Sequence, residues 1–133
     1  MARIYKQAEI LMSLLVLGGA RTIPDHGGIL DRVLGEFTQH LPVPLQLTFS
    51  TTGVGFRCFE LPDILLACQE TGMVEWEHGD MRILKLILPT DFAAEIALTY
   101  QSINSFRETG MSLVAMLERI EAEQKASTIS VSP

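Results

Sequence analysis

Positive charge, cysteine and histidine are all scarce in this chain. Ten Lys and Arg stand against sixteen Asp and Glu, giving a formal charge of −6 over 133 residues. The imbalance is local: residues 1–58 hold five basic and four acidic side chains, residues 59–133 five basic and twelve acidic. Non-specific affinity for nucleic acid comes from Lys and Arg displacing counterions at phosphates, so the acidic second half excludes a broad nucleic-acid surface there. The two cysteines, Cys58 and Cys68, have nine residues between them. They form no Cys-x-x-Cys pair, which leaves two buried reduced thiols and a reducing, cytoplasmic setting as the expectation.

The sequence is equally short of catalytic and ligand motifs. His26, His40 and His78 make no i,i+4 pair, and neither His-Glu-x-x-His nor Gly-x-Ser-x-Gly occurs. GGARTIPDHGG is glycine-rich but lacks the Gly-Lys-Ser/Thr ending that cradles a nucleotide phosphate, and reads as a loop. No catalytic residue, metal or cofactor is therefore expected. Nothing approaches the ~18–20 apolar residues of a membrane span. Arg3 and Lys6, then ILMSLLVL, then Gly18-Gly19-Ala20 imitate a secretory signal, but Glu9 interrupts the approach to the apolar run. The same residues fit an amphipathic helix with Ile4, Ala8, Leu11 and Leu15 on one face.

What the chain does have is apolar residues, 47% of the total, with a mean hydropathy of +0.26. Its length suits one core without disulfide or metal support. The apolar surplus predicts that a second chain covers part of the surface, most simply in a homodimer.

Spacing predicts helices over residues 3–17, ended by Gly18-Gly19, and over 29–40, where Ile29, Leu30, Val33, Leu34 and Phe37 share a face. Thr22–Gly28 reads as a turn between them. Pro42 and Pro44 lead into an alternating strand or extended segment, LQLTFST, and GVGFRCF is a bend. A third helix starts at Leu61 or Pro62 and stops at Gly72. Phe49, Phe56, Phe59 and Trp76 have the spacing of core aromatics, a use favoured over a ligand pocket.

GMVEWEHGDMRILKLIL, residues 72–88, reads as a β-hairpin. A three-residue loop would pair Val74 with Leu84 and Trp76 with Arg82. That places Val74, Trp76, Leu84, Leu86 and Leu88 on one face, whereas a two-residue loop would divide them. The tip is acidic in either register, with Glu75, Glu77 and Asp80 against Arg82 and Lys85. Beyond Pro89, the residues Phe92, Ile96, Thr99, Ile103, Phe106, Gly110, Leu113, Leu117 and Ile120 step by four and three, the seam of a coiled coil. One continuous or gently bent helix is favoured over an antiparallel pair broken at Glu108-Thr109-Gly110. The seam's partner is either the chain's own body or another subunit. In the second case Phe92, Ile96, Ile103, Phe106, Leu113, Leu117 and Ile120 form the dimer interface.

This order of elements, and above all residues 60–88, ELPDILLACQETGMVEWEHGDMRILKLIL, resembles winged-helix proteins, especially small bacterial regulators that dimerise through an added helix. More loosely, residues 3–77 resemble bacterial winged-helix-like and antitoxin-associated proteins. The resemblance implies an α+β, winged-helix-like fold of three helices, a short β-hairpin and a long C-terminal helix or helix pair. Its divisions would be a winged-helix-like domain at 1–89, a dimerisation segment at 90–125 and a disordered tail at 126–133. It also implies that the third helix enters the major groove and the hairpin touches phosphate. This chain departs from that pattern, because the third helix offers Asp63, Gln69 and Glu70 with no Lys or Arg. A regulatory module that self-associates and binds a protein partner is therefore the leading expectation. A homodimeric DNA-binding regulator is the alternative, using Arg57, Gln69, Arg82 and Lys85 with Arg3, Lys6, Arg21 and Arg32, and a small-molecule-binding or enzymatic domain is a distant third.

Overall fold

The computed structural model describes residues 2–24, 28–40, 47–52, 55–77, 80–100 and 103–131. In chain order the elements are helix α1 (Ala2–Leu17), strand β1 (Thr22–Pro24), helix α2 (Ile29–His40), and a hairpin of β2 (Phe49–Thr52) and β3 (Gly55–Cys58). Helix α3 (Leu61–Glu70), a second hairpin of β4 (Val74–Glu77) and β5 (Asp80–Leu86), and helices α4 (Thr90–Tyr100) and α5 (Ile103–Val131) complete it. The class is α+β, as expected, with two small antiparallel sheets rather than one.

Helix α1 is the centre. Ile10, Leu11, Met12, Leu14, Leu15 and Ala8 are all buried, as are Gln7 and Ser13, so the helix is covered on both sides rather than along the one face expected. A helix apolar all round belongs in an interior, and α3, α4 and α5 all pack on α1. It ends in a Schellman turn, with Gly19 at φ +94°. There the Ala20 N–H donates to Leu15 O at 2.9 Å and the Gly19 N–H to Val16 O at 3.0 Å. Helix α3 ends the same way. Gly72 has φ +76°, Met73 N–H donates to Cys68 O at 2.9 Å and Gly72 N–H to Gln69 O at 3.2 Å.

Both turns send the chain into one sheet of order β1-β5-β4. Strand β1 occupies the segment expected to be only a turn. Its three residues are too few for a period-two signal, and Pro24 is tolerated because β1 is an edge strand. The β4–β5 register also differs from expectation: Val74 lies opposite Leu86 and Trp76 opposite Leu84, with an irregularity between Trp76 and Glu77. The shift is an even number of residues. Val74, Trp76, Leu84 and Leu86 therefore keep their common face, while Glu75 faces Lys85.

Among the described residues the C-terminal stretch is two helices, α4 ending at Tyr100 and α5 beginning at Ile103, and α5 runs unbroken through Glu108–Gly110. Helix α4 meets α1 through Ala93 and Ala97, both fully buried. Phe92 is not buried in this packing and is 37% exposed. In α5 the seam exists, with Phe106, Leu113, Leu117 and Ile120 buried against the chain's own core, where α5 contacts α1 and α2. Ile96 is half-buried against the same core, and the side chain of Ile103 lies outside the described residues. Gly110 is a close-approach point rather than a weak seam position. A Cβ there would overlap the Leu14 carbonyl oxygen and sit 3.2 Å from Gly18 N. The backbone from Ala126, expected to fray, continues as helix to Val131.

Candidate functional site

The first turn of α3 holds Pro62 and Asp63, residues suited to a helix N-terminus by the proline's preset φ and the aspartate's interaction with the helix dipole. Leu61, Ile64, Leu65, Ala67 and Cys68 turn inward. Asp63, Leu66 and Glu70, spaced i, i+3, i+7, fall on the opposite side. Leu66 is accordingly 53% exposed, a large apolar side chain between two carboxylates.

A depression lies on each side of Leu66. The larger, about 710 Å³, runs between the start of α2, strand β3 and α3. Its walls include Phe56, Arg57, Pro62 and Leu65, with Asp31 and Gln69 at polar positions. The smaller, about 180 Å³, lies between α1 and α3, where Ile4 and Tyr5 face Asp63, Ala67 and Glu70. Tyr5 Oη donates to Glu70 Oε2 at 3.0 Å. That hydrogen bond and the neighbouring negative charge raise the phenol's pKa.

The walls are fixed by short-range chemistry. Asp31 Oδ1 accepts the Cys58 N–H at 2.7 Å, tying β3 to α2. Phe56 lies against Gly35 so closely that a Cβ at Gly35 would overlap its ring. The Phe56 ring meets Phe49 edge-on, with centroids 6.0 Å apart and planes at 77°. Glu60, immediately before α3, accepts both the Thr48 N–H, at 2.7 Å, and the Thr48 hydroxyl, while Phe59 N–H donates to Thr48 O at 3.0 Å. Partial burial pushes the Glu60 carboxyl up. The hydrogen bonds from Thr48 outweigh that and leave it below the usual carboxylate range. The clasp turns Phe59 outward, 56% exposed, so Phe59 is not the core aromatic its spacing suggested.

Both cysteines are buried free thiols. Cys58 borders the larger groove, but burial raises its pKa to about 11, and burial raises Cys68 to about 12. Neither is a thiolate at neutral pH, so neither has the form that attacks electrophiles. Among the described residues no group of three His, Cys, Asp or Glu side chains could hold a metal ion. His26 and His78, and the side chain of His40, lie outside the described residues. Among the described residues no helix is long and apolar enough to cross a membrane.

Comparison of the chain with protein-family models, with curated proteins and with solved structures gives no match.

The residues singled out for nucleic-acid contact separate into groups. Arg57 and Gln69 share the larger groove. Lys85 is exposed on β5, opposite Glu75 and Thr22, and the side chain of Arg82 lies outside the described residues. Arg3, Lys6 and Arg21 are exposed. Arg32 is engaged elsewhere, 3.5 Å from Glu36 and 3.2 Å from Glu123, and Arg119 approaches the same two carboxylates at 3.7 and 3.9 Å. The residue that spacing did not single out is Leu66. Plotting α3 at 100° per residue sets it with Asp63 and Glu70, away from Ile64 and Cys68, and that signal was present in the sequence.

Proposed function

We propose that this chain is a non-enzymatic, winged-helix-like interaction module that self-associates and holds a protein partner against the outer face of α3. One observation carries this: an exposed leucine stands between two depressions on a helix that has no Lys or Arg. An apolar side chain flanked by carboxylates suits a peptide or a protein surface. It would leave a phosphate backbone without a cation on the helix that should approach the bases.

The winged-helix-like part of the proposal is supported by element order, since α1, β1, α2, α3, β4 and β5 run in sequence with β5 between β1 and β4. The β2–β3 hairpin is additional to that plan. Self-association is supported by the apolar side chains that α4 and α5 leave in solvent, Phe92, Leu98 and Met111. Phe92 belongs to the expected interface, and Leu98 and Met111 join it in place of the seam residues that α5 buries. The setting is a reducing cytoplasm, which suits two free thiols.

A second function, binding of DNA by a homodimer, is favoured by the convergence of Arg57 and Gln69 in one groove beside α3. Sedimentation mass of the pure protein, alone and with a random duplex of about 30 base pairs at low and moderate salt, separates the two. The expected result is a dimer that ignores the duplex at both salts. A complex with DNA that weakens steeply with salt would establish the second function instead.

A further inference from the structure

We infer that the segment bound against α3 is a cationic amphipathic one, with an apolar side chain seated beside Leu66 and Lys or Arg groups facing Asp63 and Glu70. This rests on the contact face proposed above and names the chemistry of its partner. The two depressions meet at Leu66, which lines both. A partner's apolar stripe can therefore lie across α3 and bury that leucine from both sides. Among the described charged residues lining them, Asp31, Asp63 and Glu70 outnumber Arg57.

The charge of the whole chain, −6, extends the same field outward. It steers a cation toward the face and opposes an acidic competitor. Glu70 keeps acceptor capacity when Tyr5 donates to one of its oxygens, because an ionised carboxylate accepts several hydrogen bonds. The apolar contact supplies affinity and the carboxylates supply orientation, the division found when an amphipathic helix lies in a groove.

The test is fluorescence anisotropy with two labelled peptides of about four helical turns. One is an amphipathic sequence of leucine and lysine, and the other is its twin with every lysine replaced by glutamate. The lysine peptide should bind at least ~10-fold more tightly than its twin. Leu66→Ser, at a position 53% exposed, should weaken it by a similar factor. Asp63→Lys combined with Glu70→Lys should reverse the preference.

Binding of the lysine peptide that is unaffected by Leu66→Ser would overturn the inference, reducing it to diffuse attraction by net charge. Leu66-dependent binding of both peptides alike would overturn the cationic partner while leaving the α3 contact face standing. If the lysine peptide fails to bind below about 1 mM, the inference falls, and a DNA duplex that binds under the same conditions removes the contact face with it.

Discussion

Glu60 shows how a single side chain builds this site. Its carboxylate takes two hydrogen bonds from Thr48 just before α3 begins, so the β2–β3 hairpin and the helix start are clasped together and Phe59 is turned outward. The Glu60 pKa is lowered in the folded protein, so this contribution to stability is complete above the ordinary carboxylate value of 4.5 and is lost as pH falls below it through the lowered folded value. Glu60→Gln should cost roughly 0.5–1 kcal/mol at neutral pH, the range for a net hydrogen-bond loss at a solvated site. Urea midpoints of the two proteins, measured against pH, should converge below 4.5; a gap that persists into acid would show that the charge is not what Thr48 binds. Sequence held part of this residue-level picture. The inward side of α3 follows from spacing alone, whereas Phe59 has the spacing of a core aromatic and is displaced by the hydrogen bond its neighbour Glu60 accepts from a residue twelve positions earlier, which no local period encodes.

At the scale of elements, what was legible followed a strong period and what was not depended on a neighbour. Helix α2 begins and ends where its apolar spacing does, and the glycines after α1 and α3 stop both helices as expected. Strand β1 is three residues long and carries proline, so it left no pattern. The β4–β5 register moved because an irregularity near the tip takes up residues that loop arithmetic assigned to the ladder. The coiled-coil spacing runs through residues 101–102 without a glycine or proline, so nothing local marks the division between α4 and α5.

The crossing of α1 and α5 is the element-scale feature most open to test. Gly18 and Gly110 meet backbone to backbone, and a methyl at Gly110 has only a carbonyl to displace. Overpacking of that kind costs typically 1–3 kcal/mol, and alanine's better helix propensity returns up to ~1. Gly110→Ala should therefore lose about 2 kcal/mol net, read as a lowered urea midpoint with an unchanged slope. A stabilised variant would show that the helices cross elsewhere.

For the whole molecule, hydrophobicity and charge divide the work between inside and outside. The apolar surplus that suggested a covered surface is largely accounted for by α1, most of whose residues from Gln7 to Leu17 are buried where α3, α4 and α5 pack on it. The seam of α5 is enclosed with it. What remains outside is a small set of apolar side chains, among them Leu66 on an acidic helix face, and this combination favours a protein segment over a phosphate backbone. The hairpin adds no net positive surface at its described pair, where Glu75 and Lys85 oppose one another across the strands.

The claim that contact is made by the outer face of α3 is tested most directly by following leucine methyl resonances during two titrations, one with the leucine–lysine peptide and one with a DNA duplex. The Leu66 methyls should shift with the peptide and stay in place with the duplex, while those of Leu84, buried beneath the sheet, stay in place in both. Leu66 methyls that do not respond to the peptide, or that respond to the duplex in its stead, would contradict the account.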